Sequence, residues 1–141
     1  MTISEQGKDL AESFSFMDDW TEKYQYMIDL SKSLDEMNLN YKTDENLIKG
    51  CQSKVWLHAT EDNGKVNFFA DSDAIITKGI ISLLIRTFSG QKPQDIIESN
   101  LDFIDKIGLR QHLSPNRANG LNNMIKKIKF YAIGFNKKIN G

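Results

Sequence analysis

Apolar residues recur at steps of three and four between residues 15 and 34, which predicts a helix with one buried face. They are Met17, Trp20, Tyr24, Met27, Ile28 and Leu34. Ser15 stands three residues before Asp18, a capping-box pattern that places the start of this helix near Ser15. Trp20 and Tyr24 are expected to pack in the core or between helices, because large aromatic side chains bury much area.

The pattern changes to alternation between residues 55 and 70, which predicts two strands. The apolar positions are Val55, Leu57 and Ala59, then Val66, Phe68 and Ala70. Asp62-Asn63-Gly64 lies between the two runs and is a strong hairpin signal. Residues 45–50 are predicted to form a further short strand. The sheet is therefore expected to be antiparallel, with about three strands.

The second half of the chain predicts helices. Residues 74–85 are apolar around nearly the whole helix circumference, which predicts a central buried helix. Asp71-Ser72-Asp73 is the expected cap, and Gly79 indicates close packing against the sheet. Short helices are predicted at residues 93–97 and 101–107, and a long one from Ser114-Pro115. The predicted fold class is α+β, a small antiparallel sheet surrounded by helices.

Composition fits one globular domain. The chain has 141 residues, of which 40% are hydrophobic and 26% charged. The expected core spans about residues 15–135, with frayed ends at residues 1–12 and 137–141. Apolar runs are too short to cross a bilayer, and the first residues lack a signal pattern. These features predict a cytoplasmic protein with no membrane partner.

Charge is distributed unevenly along the chain. Residues 1–50 contain five Lys/Arg and eleven Asp/Glu, a net charge of −6, and residues 51–141 contain thirteen and eight, a net charge of +5. With an overall net charge of −1, non-specific nucleic-acid binding is not expected. The asymmetry favours orientation of a protein partner, or it reflects solvated helix faces.

Cys51, the single cysteine, is the candidate for chemistry. Gly50 before it permits a bend in the backbone. Lys49 and Lys54 flank it, and nearby positive charge lowers the pKa of a thiol, so a reactive thiolate is one interpretation. A small buried residue without reactivity is the commoner one. One cysteine forms no internal disulfide and supplies no multi-cysteine metal site.

Two other functions are compatible with the residues alone. A cysteine-dependent hydrolase would need His58 or His112 as a base within hydrogen-bond reach of Cys51. His58 is expected to be a sheet-surface residue instead, because it lies inside a predicted strand. A non-catalytic binding module, in which Cys51 is incidental, is the second.

Three stretches together resemble the SufE family of sulfur-acceptor proteins over about residues 15–135. They are residues 50–57 (GCQSKVWL), residues 69–74 (FADSDA) with Gly79, and residues 108–109 (GL) with 112–121 (HLSPNRANGL). The resemblance implies a fold similar to that of the scaffold protein IscU. It implies an accessory sulfur carrier in iron–sulfur cluster assembly rather than a stand-alone enzyme.

The resemblance also implies how sulfur moves. Cys51 would accept sulfane sulfur, as a persulfide, from a pyridoxal-phosphate-dependent desulfurase such as SufS, stimulate that enzyme, and pass the sulfur toward SufBCD. Pyridoxal phosphate belongs to the partner, and this chain needs no cofactor or metal. A related branch of the family, CsdE, serves another desulfurase, so the partner enzyme stays open. Apart from the resemblance, the residues predicted to support Cys51 are Lys49, Gly50, Gln52, Lys54 and Arg117, and Arg117 is predicted to project toward the sheet or a partner.

Overall fold

A computed structural model describes residues 1–140. Within these residues the chain forms seven α-helices and two strands. In chain order they are α1 Ile3–Ser15, α2 Trp20–Ser31, β1 Val55–Asp62, β2 Lys65–Ser72, α3 Ile75–Phe88, α4 Pro93–Glu98, α5 Asp102–Lys106, α6 Leu109–His112 and α7 Pro115–Asn140. The fold class is α+β, as predicted. None of the helices in residues 1–140 is long and apolar enough to span a lipid bilayer.

The two strands form an antiparallel hairpin that runs from the Val55–Ser72 pair to the Asp62–Lys65 pair at its turn. Their alternating residues are buried on one face, as the sequence pattern predicts. α3 packs on this sheet and on α2, and its apolar side chains occupy the centre of the core. α7 lies along α4 and also contacts β1 and α3.

The predicted third strand at residues 45–50 is wrong. Asp44–Asn46 form a 3₁₀ turn, and only Leu47 makes an isolated bridge, to Trp56. The chain then turns away from the sheet at Gly50, which has a φ of +82°. A residue in that conformation cannot continue a strand, so pairing stops after one bridge.

The prediction of frayed ends is also wrong for the described residues. α1 begins with a reciprocal cap between Thr2 and Glu5, and it buries Leu10 and Phe14. At the other end, residues 137–140 continue α7, whereas residue 141 lies outside the described part. Two signals for this helix are present in the sequence, the Thr2–Glu5 capping box and the four-residue spacing of Leu10 and Phe14, but the prediction did not use them.

Helix starts are partly as predicted. α4 begins at Pro93, and α7 begins at Pro115, where the Arg117 amide donates to Ser114 Oγ at 3.3 Å. Ser15 does not start α2, because it ends α1. Asp19 caps α2 by accepting from the Glu22 amide at 2.9 Å.

The start of α3 and the role of Gly79 differ from the predictions. Ala74 is the N-cap of α3 and has no side-chain acceptor. Ser72 Oγ accepts from the Ala74 amide at 3.2 Å, whereas Asp71 and Asp73 bind Lys42 and the Lys54 amide, respectively. Gly79 packs on α2 rather than on the sheet. A Cβ there would lie 3.1 Å from the backbone carbon of Met27.

Candidate functional site

Cys51 lies on a short loop between the Leu47 bridge and β1, and both ends of this loop are pinned. At one end the Ile48 amide donates to the Val55 carbonyl at 2.8 Å. At the other, the Lys54 amide donates to Asp73 Oδ1 at 3.0 Å, and Ser72 Oγ donates to the Lys54 carbonyl at 2.8 Å. The loop therefore has a fixed base and presents residues 49–53 over α7.

Gly50 gives the loop its bend, as predicted. Its φ of +82° lies in the left-handed region, which residues with a Cβ rarely adopt. A Cβ at Gly50 would also collide with the side-chain amide nitrogen of Asn123 on α7. The backbone angle thus favours glycine immediately before Cys51, and a larger residue there would also require the Asn123 side chain to move.

The Cys51 side chain points at the first turns of α7 and is half-buried there. Its Sγ lies 3.8 Å from the Gly120 carbonyl oxygen, within range of a weak S–H hydrogen bond. A Cβ added to Gly120 would lie 3.2 Å from Sγ, closer than side-chain carbons normally approach sulfur. The thiol therefore occupies space that exists because Gly120 has no side chain.

A cavity of about 300 Å³ opens beside the thiol. Its wall combines the loop with α3 and the start of α7. The lining residues are Cys51, Gln52, Ser53, Thr77, Ile80, Asn116, Arg117, Gly120 and Met124. Ile80 and Met124 are buried and apolar, whereas Gln52, Asn116 and Arg117 are exposed. The thiol thus borders an apolar floor with a polar rim.

The electrostatic prediction for Cys51 is wrong. Burial raises the pKa of the thiol above its ordinary value, and neither Lys49 nor Lys54 contributes to the shift. The lysines are close in sequence, but their side chains are solvent-exposed and do not line the cavity. In this structure the thiol form is therefore favoured over the thiolate at neutral pH.

The supporting residues predicted from the sequence divide into two groups. Gln52 and Arg117 line the cavity with Cys51, although Arg117 lies 66 positions later in the chain. Lys49 instead lines a separate groove on the other side of the loop, with Lys126, Lys127 and Phe130. Lys54 acts through its backbone, which anchors the loop to residues 72 and 73.

Neither histidine lines the cavity of Cys51. The His58 ring stacks on Tyr41 with centroids 3.8 Å apart, and partial burial lowers the pKa of His58. The His112 ring stacks on Trp20 at 4.1 Å. Both rings are used in packing, and Trp20 and Tyr24 pack against the core as predicted. No observation therefore supports the Cys–His pair of a hydrolase.

Sequence reasoning missed the cavity residues Thr77, Asn116, Gly120 and Met124 as neighbours of the thiol. One signal for Gly120 was present: Asn119-Gly120 interrupts a helical pattern, against helix propensity. Such a conflict indicates a close approach, but its partner 69 residues away is visible only in the fold. Across residues 1–140, no group of three or more His, Cys, Asp or Glu residues is arranged to hold a metal ion.

Comparison with known proteins gives consistent results at three levels. The family model for the SufE, Fe–S metabolism associated domain matches residues 8–132. A SufE-like protein of Rhizobium meliloti (strain 1021) is 42% identical over 130 residues, covering 89% of this chain and 93% of the relative. One from Rhizobium etli is 38% identical over 125 residues, covering 85% and 84%.

A solved structure supports the fold. The solution structure of a hypothetical protein from Thermus thermophilus superposes with a TM-score of 0.77, covering 92% of this chain and 95% of that one, at 19% sequence identity. The family model covers most of the chain and includes the Cys51 loop and both walls of its cavity. The chain belongs to the SufE family, which is associated with iron–sulfur metabolism and sulfur transfer.

Proposed function

We propose that this protein accepts sulfane sulfur on Cys51 from the persulfide of a cysteine desulfurase and carries it toward an iron–sulfur cluster scaffold. The observation that supports this most directly is the position of Cys51. It lies on a loop with a fixed base, beside a cavity of about 300 Å³. This arrangement gives one nucleophile a space, with apolar and polar walls, that is large enough for an additional sulfur atom.

The transfer is a thiol–persulfide exchange. The Cys51 thiolate attacks the outer sulfur of the donor persulfide, and a new S–S bond forms at Sγ. The donor's own S–S bond breaks, and its cysteine leaves as a thiolate that takes up the proton lost by Cys51. One thiol and one persulfide enter and leave, so no external oxidant or reductant is needed.

The resting geometry suits a carrier better than a hydrolase. Burial raises the pKa of the Cys51 thiol, which keeps the free protein less reactive toward other electrophiles. The cavity would then shelter the acquired sulfur, because its floor is formed by Ile80 and Met124. The central helix α3 lines the cavity through Thr77 and Ile80, whereas Val55 and Leu57 of β1 are buried and do not line it.

The proposed partners rest on membership of the SufE family. A pyridoxal-phosphate-dependent desulfurase, SufS-like or CsdA-like, supplies the sulfur and is stimulated by removal of its persulfide. A SufBCD-like scaffold receives the sulfur. The proposed setting is the cytoplasm, where thiols stay reduced. Gln52 and Arg117 are the residues proposed to contact the donor at the cavity rim.

The test is incubation with L-cysteine and the desulfurase of the same organism, followed by mass spectrometry of the intact protein without reductant. Wild-type protein is expected to gain one sulfur atom, located on Cys51 by peptide mapping. Cys51→Ala is expected to gain none and to lose stimulation of the desulfurase.

The opposite result has a clear meaning. If Cys51→Ala stimulated the desulfurase as strongly as wild type, acceptor chemistry at Cys51 would be refuted. The protein would then act as a non-catalytic binding module.

A further inference from the structure

Helix α7 carries an unusual distribution of charge. It contains six basic residues and no Asp or Glu: Arg117, Lys126, Lys127, Lys129, Lys137 and Lys138. The Lys127 ammonium lies over the Phe130 and Tyr131 rings, and the Lys129 Nζ donates to the carbonyl of Ser99 at 2.8 Å. None of the others forms an ion pair within residues 1–140. The helix therefore presents cations that the described part of the chain does not neutralise.

The Cys51 loop crosses α7 between Arg117 and Lys126. Gly120 lies under the thiol and Asn123 lies under Gly50. Arg117 borders the thiol cavity on one side of the loop. On the other side a groove of about 550 Å³ separates the segment 44–49 from α7. This groove begins at Lys49, two residues from the nucleophile.

The groove, which we call the α7 groove, combines positive charge with an exposed aromatic ring. It is lined by Asp44, Glu45, Leu47, Ile48, Lys49, Asn123, Lys126, Lys127 and Phe130. Phe130 is 68% exposed although it lies in the middle of a long helix. The Lys127 ammonium lies 5.4 Å from the centre of the Phe130 ring, so charge and apolar surface are contiguous.

We propose that the α7 groove is a docking site for the sulfur donor, which fills it with an acidic segment carrying an apolar side chain. This inference rests on the proposed function, because a donor persulfide must come within bonding distance of Cys51. A protein–protein contact of ordinary size covers about 800 Å² on each partner. The groove shares Lys49 with the Cys51 loop, so a contact of this size that is centred on Cys51 and extends along α7 would reach it.

Charge determines the chemistry of the occupant. A partner that covered Lys49, Lys126 and Lys127 without supplying carboxylates would bury cations without compensation, which is unfavourable. Asp44 and Glu45 lie on the same wall as Lys49 and face Lys126 and Lys127 across the groove, and neither pairs with these lysines within the described residues. A nucleic acid is disfavoured as the occupant, since the whole chain has a net charge of −1.

The experiment compares two double charge reversals on the same helix. Lys126→Glu with Lys127→Glu alters the groove, whereas Lys137→Glu with Lys138→Glu makes the same charge change in the last turn, outside the groove. Affinity for the organism's cysteine desulfurase is measured by calorimetry at low salt. The groove variant is expected to bind at least about tenfold more weakly, a loss of about 1.4 kcal/mol, and the control within about twofold of wild type. Phe130→Ala, which keeps every charge, is expected to weaken binding as well.

Equal affinity of the groove variant and the control would overturn the inference. So would a slower alkylation of Cys51 in the isolated groove variant, because the reversal would then act by distorting the loop. Two results would assign the groove to another occupant. One is self-association of the wild type that the groove reversal abolishes, and the other is binding of a DNA oligonucleotide tighter than binding of the desulfurase.

Measuring sulfur transfer to Cys51 separates the docking proposal from the carrier function. Transfer at the wild-type rate by the groove variant refutes docking alone, whereas intact docking without sulfur on wild-type Cys51 refutes the carrier function alone.

Discussion

Gly120 has no side chain, and the thiol of Cys51 occupies the space that a side chain would fill. The two residues meet because the loop crosses α7 where Gly50 and Gly120 both allow a close approach. This contact half-buries the thiol, and burial raises its pKa. The reactivity of Cys51 at rest therefore depends on a glycine that is distant in sequence and takes no part in the transfer.

Gly120→Ala is predicted to make Cys51 more reactive. The added methyl group would lie 3.2 Å from Sγ, and the loop tip can yield because Gly50 and Gln52 are exposed. The thiol then moves toward solvent, and its pKa falls toward the ordinary value. At neutral pH the rate of alkylation by iodoacetamide should rise, because the thiolate fraction grows as the thiol pKa falls.

The pH profile of alkylation distinguishes this effect from a general loosening of the fold. In wild type the rate should rise through a midpoint above that of an exposed cysteine, and in Gly120→Ala that midpoint should move to lower pH. Gly134→Ala is the matched control, since it changes a glycine of the same helix with open space around it. An unshifted profile in Gly120→Ala would show that Gly120 does not set the position of the thiol.

At the level of elements, α2 and α3 pack in direct contact at Gly79. A Cβ at this position would lie 3.1 Å from the carbon and 3.2 Å from the oxygen of the Met27 carbonyl group. Backbone atoms of a helix cannot rotate away as a side chain can. The two helices would have to separate, and the core between them would lose contact.

Gly79→Ala is therefore predicted to destabilise the protein by about 1 to 3 kcal/mol, although alanine is the better helix former. Urea unfolding measures the change. Gly134→Ala, on an exposed turn of α7, should instead raise stability by up to about 1 kcal/mol. If both substitutions were stabilising, the close contact between α2 and α3 would not exist in solution.

The sequence was informative about elements wherever one period extended over many residues. The alternation around residues 55–70 identified both strands, and Ser114-Pro115 identified the start of α7. It failed where tertiary contacts decide the structure. Asp71 was expected to cap α3, but it pairs with Lys42 at 2.6 Å and with Lys78 at 3.3 Å. The N-cap position falls on Ala74, three residues after Asp71, and alanine has no side-chain acceptor.

The candidate site shows the same division at the scale of the whole molecule. Cys51 and its glycine were identified from adjacent residues, and Arg117 was a candidate whose place beside the thiol the sequence did not show. The assumption that Lys49 and Lys54 act on the thiol was wrong, because a loop directs neighbouring side chains to different surfaces. The cavity needs α3, α7 and the loop together, so its size and its effect on the thiol pKa depend on the complete fold.

That dependence extends to the N-terminal helix, which the sequence reading left outside the core. Leu10 of α1 has no exposed surface and belongs to the same cluster as the residues of α3. Leu10→Ala is predicted to lower the free energy of unfolding by about 2 to 5 kcal/mol, the usual cost of a cavity in a packed core. Leu39→Ala is the control, since Leu39 is 77% exposed and its loss should change stability by less than about 0.5 kcal/mol. Chemical denaturation of both variants gives the comparison, and equal midpoints would mean that α1 does not pack on the core and that the rest of the chain folds without it.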